Sequence, residues 1–154
     1  MGDDLTAPTL RSSGGAEHRS NTEPRFAILG PLHAVDDDGR RVDLGGPKQR
    51  DLLAMLLVHL NQFVPASRLI DELWNGAPPA SADVTLRTHV SRLRQRLAAV
   101  GHEKALVTRP SGYGLVLDPE LVDSYRFGRL AGLGQEALGL RSPERAAQLL
   151  RAAL

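Results

Sequence analysis

The chain has 154 residues, 42% of them hydrophobic but only 4% aromatic, so it holds one domain, or one and part of another, with a core of Leu, Val, Ala and Ile. Cysteine is absent, which excludes disulfides, thiolate zinc sites and a cysteine nucleophile, and no run approaches the roughly 18 apolar residues of a membrane span. The net charge of +1 hides an uneven spread: Val84 to Arg109 carries five Arg and one Lys against Glu103 alone, whereas Met1 to Pro24 carries two Arg against four acids.

Residues 1–24 are rich in Ser, Gly, Thr and Pro without periodic apolar positions, and read as a flexible tail. The N-terminus has no basic stretch leading into an apolar run, so the expected home is a reducing cytoplasm. Seventeen of the 19 basic residues are Arg, and the chain is rich in Ala, Leu and Gly, the composition of a GC-rich bacterial genome. Short apolar runs follow at Arg25 to Leu29, Leu32 to Val35 and Arg41 to Leu44. The last two are separated by Asp38-Gly39, a strong hairpin signal, so a small antiparallel sheet opens the domain.

"PKQRDLLAMLLVHLNQ" begins with a proline suited to a first helical turn and spaces Leu52, Leu53, Leu56, Leu57 and Leu60 to bury a broad face. After the connector "FVPAS", "RLIDELW" is a short helix with Leu69, Ile70 and Leu73 inward; "NGAPPASAD" breaks it. Ser81 is the expected N-cap of a third helix, running from about Ala82 to Ala99, and Asp83 complements its positive end.

On that helix Leu86, Val90, Leu93 and Leu97 share a narrow arc that must pack on a core. The opposite face carries Thr85, Thr88, Ser91, Arg92 and Gln95, with Arg87 and Arg94 flanking on one side and His89 and Arg96 on the other. From Thr85 to Leu97 there is no acid, although a merely solvated helix usually interleaves Glu with its basic residues. Small polar groups at the centre and guanidinium groups at the rim suit a DNA major groove. Taken alone, the stretch is equally compatible with an ordinary exposed helix.

Two strand-like runs come next, Leu106 to Thr108 and Tyr113 to Leu117, joined by Arg109-Pro110-Ser111-Gly112, a hairpin that reads as a wing able to hold Arg109 and Ser111 beside a duplex. From Asp123 the pattern is that of two helices split at Ser142-Pro143, with Ser142 as the second N-cap. The hairpin stops while still amphipathic, as in a piece of something longer. "DDDG" at Asp36 to Gly39 lacks the register of a calcium loop, and the five His are scattered. No nucleophile, base and oxyanion donors assemble, so catalytic residues, metal ligands and cofactors are not expected.

The order sheet, helix, short helix, basic helix, hairpin resembles the OmpR/PhoB-type winged helix-turn-helix, an α+β fold and the effector domain of two-component-type regulators. The wording "LGP", "GGPKQR", "LIDELW", "LRTHVSRLR" and "PSGY", in this order and spacing, resembles the Streptomyces antibiotic regulatory proteins, the AfsR-like activators, from about Phe26 to the end. The resemblance implies a winged-helix DNA-binding domain over 25–118, followed over 119–154 by the truncated start of a helical bacterial transcriptional activation domain. It further implies an activator that binds direct repeats in double-stranded DNA near a promoter for antibiotic biosynthesis, as a head-to-tail dimer. Such a protein recruits RNA polymerase holoenzyme through the principal sigma factor and works at the nucleoid.

By the same resemblance Arg92 and Thr88 fall where the family reads the major groove, Arg94 and His89 beside the backbone, and Trp74 and Lys48 within reach of phosphate, with Arg50 more ambiguous. The wing contributes Arg109, Ser111 and Tyr113, and the loop Asn75, Gly76, Ala77, Pro78 and Pro79 lies where the family touches polymerase. One position departs: many OmpR-type wings carry Arg after Gly-Tyr, where this chain has Gly114, leaving Arg109 as the nearby substitute. The alternatives are a short regulator that binds DNA without activating, and a winged-helix module that binds an acidic protein surface.

Overall fold

The computed structural model describes residues 23–154; the tail expected over Met1 to Pro24 falls, but for its last two residues, outside them. The chain opens with β1 (Phe26–Ala27), β2 (His33–Val35) and β3 (Arg41–Val42), an antiparallel sheet in that order. Phe26 pairs with Ala34 and Ala34 with Val42, so these three share one register. The Asp38-Gly39 turn forms between β2 and β3. Gly39 takes a φ of 75°, and the Asp36 carboxylate accepts from the Asp38 and Arg40 amides, a local alternative to longer strands.

Helix α1 (Pro47–Val58) starts at its proline and buries Leu52, Leu53, Leu56 and Leu57 completely. Each such leucine removed from water is worth about 1.5–3 kcal/mol, which makes this helix the axis of the core. Helix α2 (Ala66–Leu73) supplies Leu69, Ile70 and Leu73, and α3 (Ala82–Ala98) supplies Leu86, Val90, Leu93 and Leu97. The wing is β5 (Leu106–Arg109) and β6 (Gly112–Leu115). The α+β winged-helix fold expected from the sequence is the one found.

One element differs from the reading. "FVP", taken as connector, is strand β4 (Phe63–Pro65), and the second sheet has the order β4-β6-β5 with Val64 opposite Tyr113. Its partner lies about fifty residues onward, so no local pattern announces it. The glycines of "SGYG" make the pairing possible, since a Cβ at Gly112 would stand 2.1 Å from the Val64 carbonyl oxygen. Tyr113, expected at the DNA, is therefore corrected to a core residue, only 9% exposed in the central strand.

The caps also differ in detail. Ser81 and Ser142 occupy their N-cap positions, but neither side chain makes a capping hydrogen bond. Ser81 instead accepts through its carbonyl, from the Thr85 amide and hydroxyl. At the other ends, α2 closes on Asn75 and Gly76 with the Gly76 amide donating to the Asp71 carbonyl. α3 closes on Gly101 with the His102 amide donating to Leu97.

A single 3-10 turn (Pro119–Leu121) leads into α4 (Asp123–Gly139) and α5 (Pro143–Ala153), the expected helical pair. Its first turn is bound to the preceding unit. Val122 is fully buried in the main core, and the Asp123 carboxylate accepts from the Ile28 and Leu29 amides. The Tyr125 hydroxyl accepts from the Leu60 amide and donates to the Val58 carbonyl. Gly134 lets the Leu150 side chain approach where a Cβ would stand 2.8 Å from it.

Candidate nucleic-acid interface

The leucine stripe of α3 is buried along its length, so its orientation is set by the core rather than by its charges. The line farthest from that stripe runs through Val84, Thr88, Ser91 and Gln95, all exposed, with Arg87 and Arg92 exposed on either side. Among the described residues neither Arg87 nor Arg92 has a hydrogen bond or an ion pair with any side chain of the protein. Thr85 and Thr88 turn their hydroxyl hydrogens back onto the Ser81 and Val84 carbonyls, which leaves them acceptor and methyl groups to offer.

The other two arginines of α3 are committed. Arg94, expected beside the DNA backbone, is turned toward the wing: its Nε and Nη2 donate to the Leu106 carbonyl at 3.3 and 3.1 Å, and Nη2 also to the Thr108 hydroxyl at 3.0 Å. Arg96 is paired with the Asp43 carboxylate in the loop before α1. The Asp43 carboxyl is held below its ordinary range, first by the Gly45 amide and then by the Arg96 charge, against an opposing effect of desolvation. Arg94 thus fastens α3 to β5, and Arg96 ties it to the loop before α1.

Around the middle of α3 lies a second group. Lys48, in the first turn of α1, donates to the Leu73 carbonyl at the end of α2, and its ammonium stands 5.4 Å from the centre of the Trp74 ring. Lys48, expected to reach phosphate, is thus engaged at a junction between two helices, with two N–H groups left over. His89 is half-buried and its Nδ1 has no partner among the described residues. Burial first, then the positive charges of Arg92 and Lys48, pull its pKa below the ordinary imidazole value. Arg50 donates from its Nη2 to the Leu32 carbonyl at 2.5 Å, so it also braces the first sheet.

On the wing, Arg109 is exposed and its guanidinium lies 3.8 Å from the centre of the Phe63 ring. A Cβ at Gly114 would stand 3.2 Å from that same ring and 2.9 Å from the Gln62 carbonyl oxygen. The missing Arg at position 114 thus has a physical reason, because glycine there admits the aromatic platform on which Arg109 stacks. Ser111 is exposed at the wing tip, and its carbonyl accepts from the Ala66 amide at 3.0 Å, anchoring the tip to the start of α2. The loop Asn75, Gly76, Ala77, Pro78 and Pro79 is exposed throughout. Two residues escaped the sequence reading. Phe63 gave no signal without β4, whereas Val84 was legible as an apolar residue four positions before Thr88 and opposite the leucine stripe.

The family described as "Transcriptional regulatory protein, C terminal" matches residues 39–117. The transcriptional regulatory protein MoaR1 of Mycobacterium tuberculosis is 40% identical over 120 residues, covering 75% of this chain and 38% of that protein. The regulatory protein AfsR of Streptomyces coelicolor is 36% identical over 140 residues, covering 90% of this chain and 14% of that protein. The chain thus spans well under half the length of either relative. Among solved structures, Mycobacterium tuberculosis EmbR, in complex with a low-affinity phosphopeptide, matches with a TM-score of 0.79 and 36% identity, over 85% of this chain and 35% of EmbR.

Proposed function

This chain belongs to the Streptomyces antibiotic regulatory protein family, transcriptional regulators with an OmpR/PhoB-type winged helix, and we propose that it is a sequence-specific activator acting through the outward face of α3. Residues 25–118 form its DNA-binding domain and 119–154 the beginning of its activation domain. One observation carries the reading. The core stripe of α3 turns a face outward that holds two arginines without internal partners among the described residues, and small polar groups between them. In a major groove Arg92 reads a base edge, helped by Thr88, Ser91 and Gln95, while Arg87 meets phosphate. Lys48, Trp74 and His89 border the same face, and Arg109 and Ser111 lie along the adjacent backbone.

The protein acts in the bacterial cytoplasm, binds direct repeats as a head-to-tail pair and uses no enzymatic chemistry. The exposed loop Asn75 to Pro79 meets RNA polymerase holoenzyme carrying the principal sigma factor, at promoters of secondary-metabolite genes. Two copies on successive repeats place their α3 helices one DNA turn apart, roughly 34–36 Å, or a multiple of it. Among the described residues no helix is long and apolar enough to cross a membrane.

The test is footprinting of the full chain on the biosynthetic promoters of its own genome, at several salt concentrations, followed by run-off transcription with polymerase. Protected direct repeats with steep salt dependence support the reading. Salt-independent binding, or capture of acidic proteins without duplex binding, overturns it in favour of an interaction module. Protection without added transcript removes the activating step alone.

A further inference from the structure

The outward midline of α3 contains one residue that neither packing nor helix propensity accounts for. Val84, in the first turn, is 65% exposed and takes no part in the core. A β-branched side chain on an exposed helical position is less favourable than Ala, Glu or Lys, so solvent exposure alone gives no reason for it. Its surroundings are polar. Arg87 and Thr88 stand one turn along and Ser91 two turns along, and Thr88 directs its hydroxyl hydrogen to the Val84 carbonyl at 3.0 Å. That bond removes the nearest side-chain donor from the outward surface. The start of the exposed face therefore offers a partner an apolar contact, with the Arg87 guanidinium one turn along and the Asp83 carboxylate next to it in sequence.

We infer that Val84 is a specificity-determining residue that contacts the 5-methyl group of a thymine in the operator. The inference rests on the proposed seating of α3 in the major groove. Residues near the start of a groove-bound helix are those that reach base edges, and the thymine methyl is the one apolar group on the major-groove edges of unmodified DNA. Arg92, two turns further on, reads a different base by hydrogen bonding, so the helix combines an apolar and a polar reader along one face.

The experiment uses the full chain and a duplex it selects from a library of random unmodified sequences. Each thymine of the selected site is replaced singly by uracil, which deletes the methyl and keeps every hydrogen bond. Affinities are measured for the wild type, Val84→Ala and Arg92→Ala; both residues are exposed, so the variants fold, and thermal melts verify it. One thymine per half-site is expected to show an about fourfold loss for the wild type on losing its methyl. That loss disappears in Val84→Ala and persists in Arg92→Ala. No uracil-sensitive position, or a sensitivity that survives in Val84→Ala, overturns the inference. If it is overturned while Arg92→Ala still relaxes sequence preference, the groove placement stands and only the methyl contact fails. If Arg92→Ala also binds as the wild type does, the groove placement falls with it.

Discussion

Arg87 and Arg92 share a helix with Arg94 and Arg96, yet the two pairs have different fates. The first pair projects from the side farthest from the core and has no internal partner among the described residues. The second pair leans back, Arg94 onto the carbonyl of β5 and Arg96 onto Asp43. The contrast teaches that a run of arginines is not one electrostatic feature. Two of its charges build the scaffold that aims the other two, and what separates them is which wall of the fold lies within reach of each.

The most forceful way to break this comparison is to truncate the outward pair. Arg92→Ala is expected to weaken binding of the selected duplex by about 1–3 kcal/mol and to relax one base position, with the unfolding midpoint unchanged. Fluorescence anisotropy on single-base variants measures it, and an unaltered preference would mean that α3 is misplaced. Arg94→Ala should do the opposite. Loss of its hydrogen bonds to Leu106 and Thr108 is expected to lower stability by about 1–2 kcal/mol, below the full value of charge-assisted bonds because the group is partly exposed. Urea unfolding reads this, while the base preference of the folded protein stays as it was.

Arg87→Ala sharpens the comparison within the outward pair. All sequences should be weakened alike, and the slope of log affinity against log salt should become shallower by about one unit. A change in base preference instead would move Arg87 from the rim to the readers. The smallest effect belongs to Asp43→Asn. Because the folded protein holds this carboxyl below its ordinary range, the stabilisation is present above that range and fades as pH falls through the depressed value. The variant should flatten the acid limb of stability against pH, followed by thermal melts, and leave DNA binding at neutral pH intact.

Much of the fold was legible because it is written in local periodicity. The leucines of α1 and α3, the proline at Pro47, the turn at Asp38-Gly39 and the break after Trp74 each act within a few residues, and each element stands where those signals place it. The outward row Thr88, Ser91, Arg92, Gln95 followed from the same helical arithmetic. Strand β4 was not legible, since its three residues owe their state to β6, far along the chain. The burial of Tyr113 and the Arg50 bond to Leu32 were hidden for a related reason: each depends on a neighbouring strand or sheet that no nearby residue announces.

The amino-acid order alone determined that a basic helix carries one buried edge and one polar edge, because side-chain angles along a helix are set by its backbone geometry. It determined the succession of elements, and through its motifs the kinship with a family of regulators. Only the tertiary structure decided which guanidinium groups remain for a partner. That outcome depends on carbonyls and carboxylates brought within about 3 Å by distant segments, and hydrogen bonds vanish over distances far smaller than any spacing along the chain can specify.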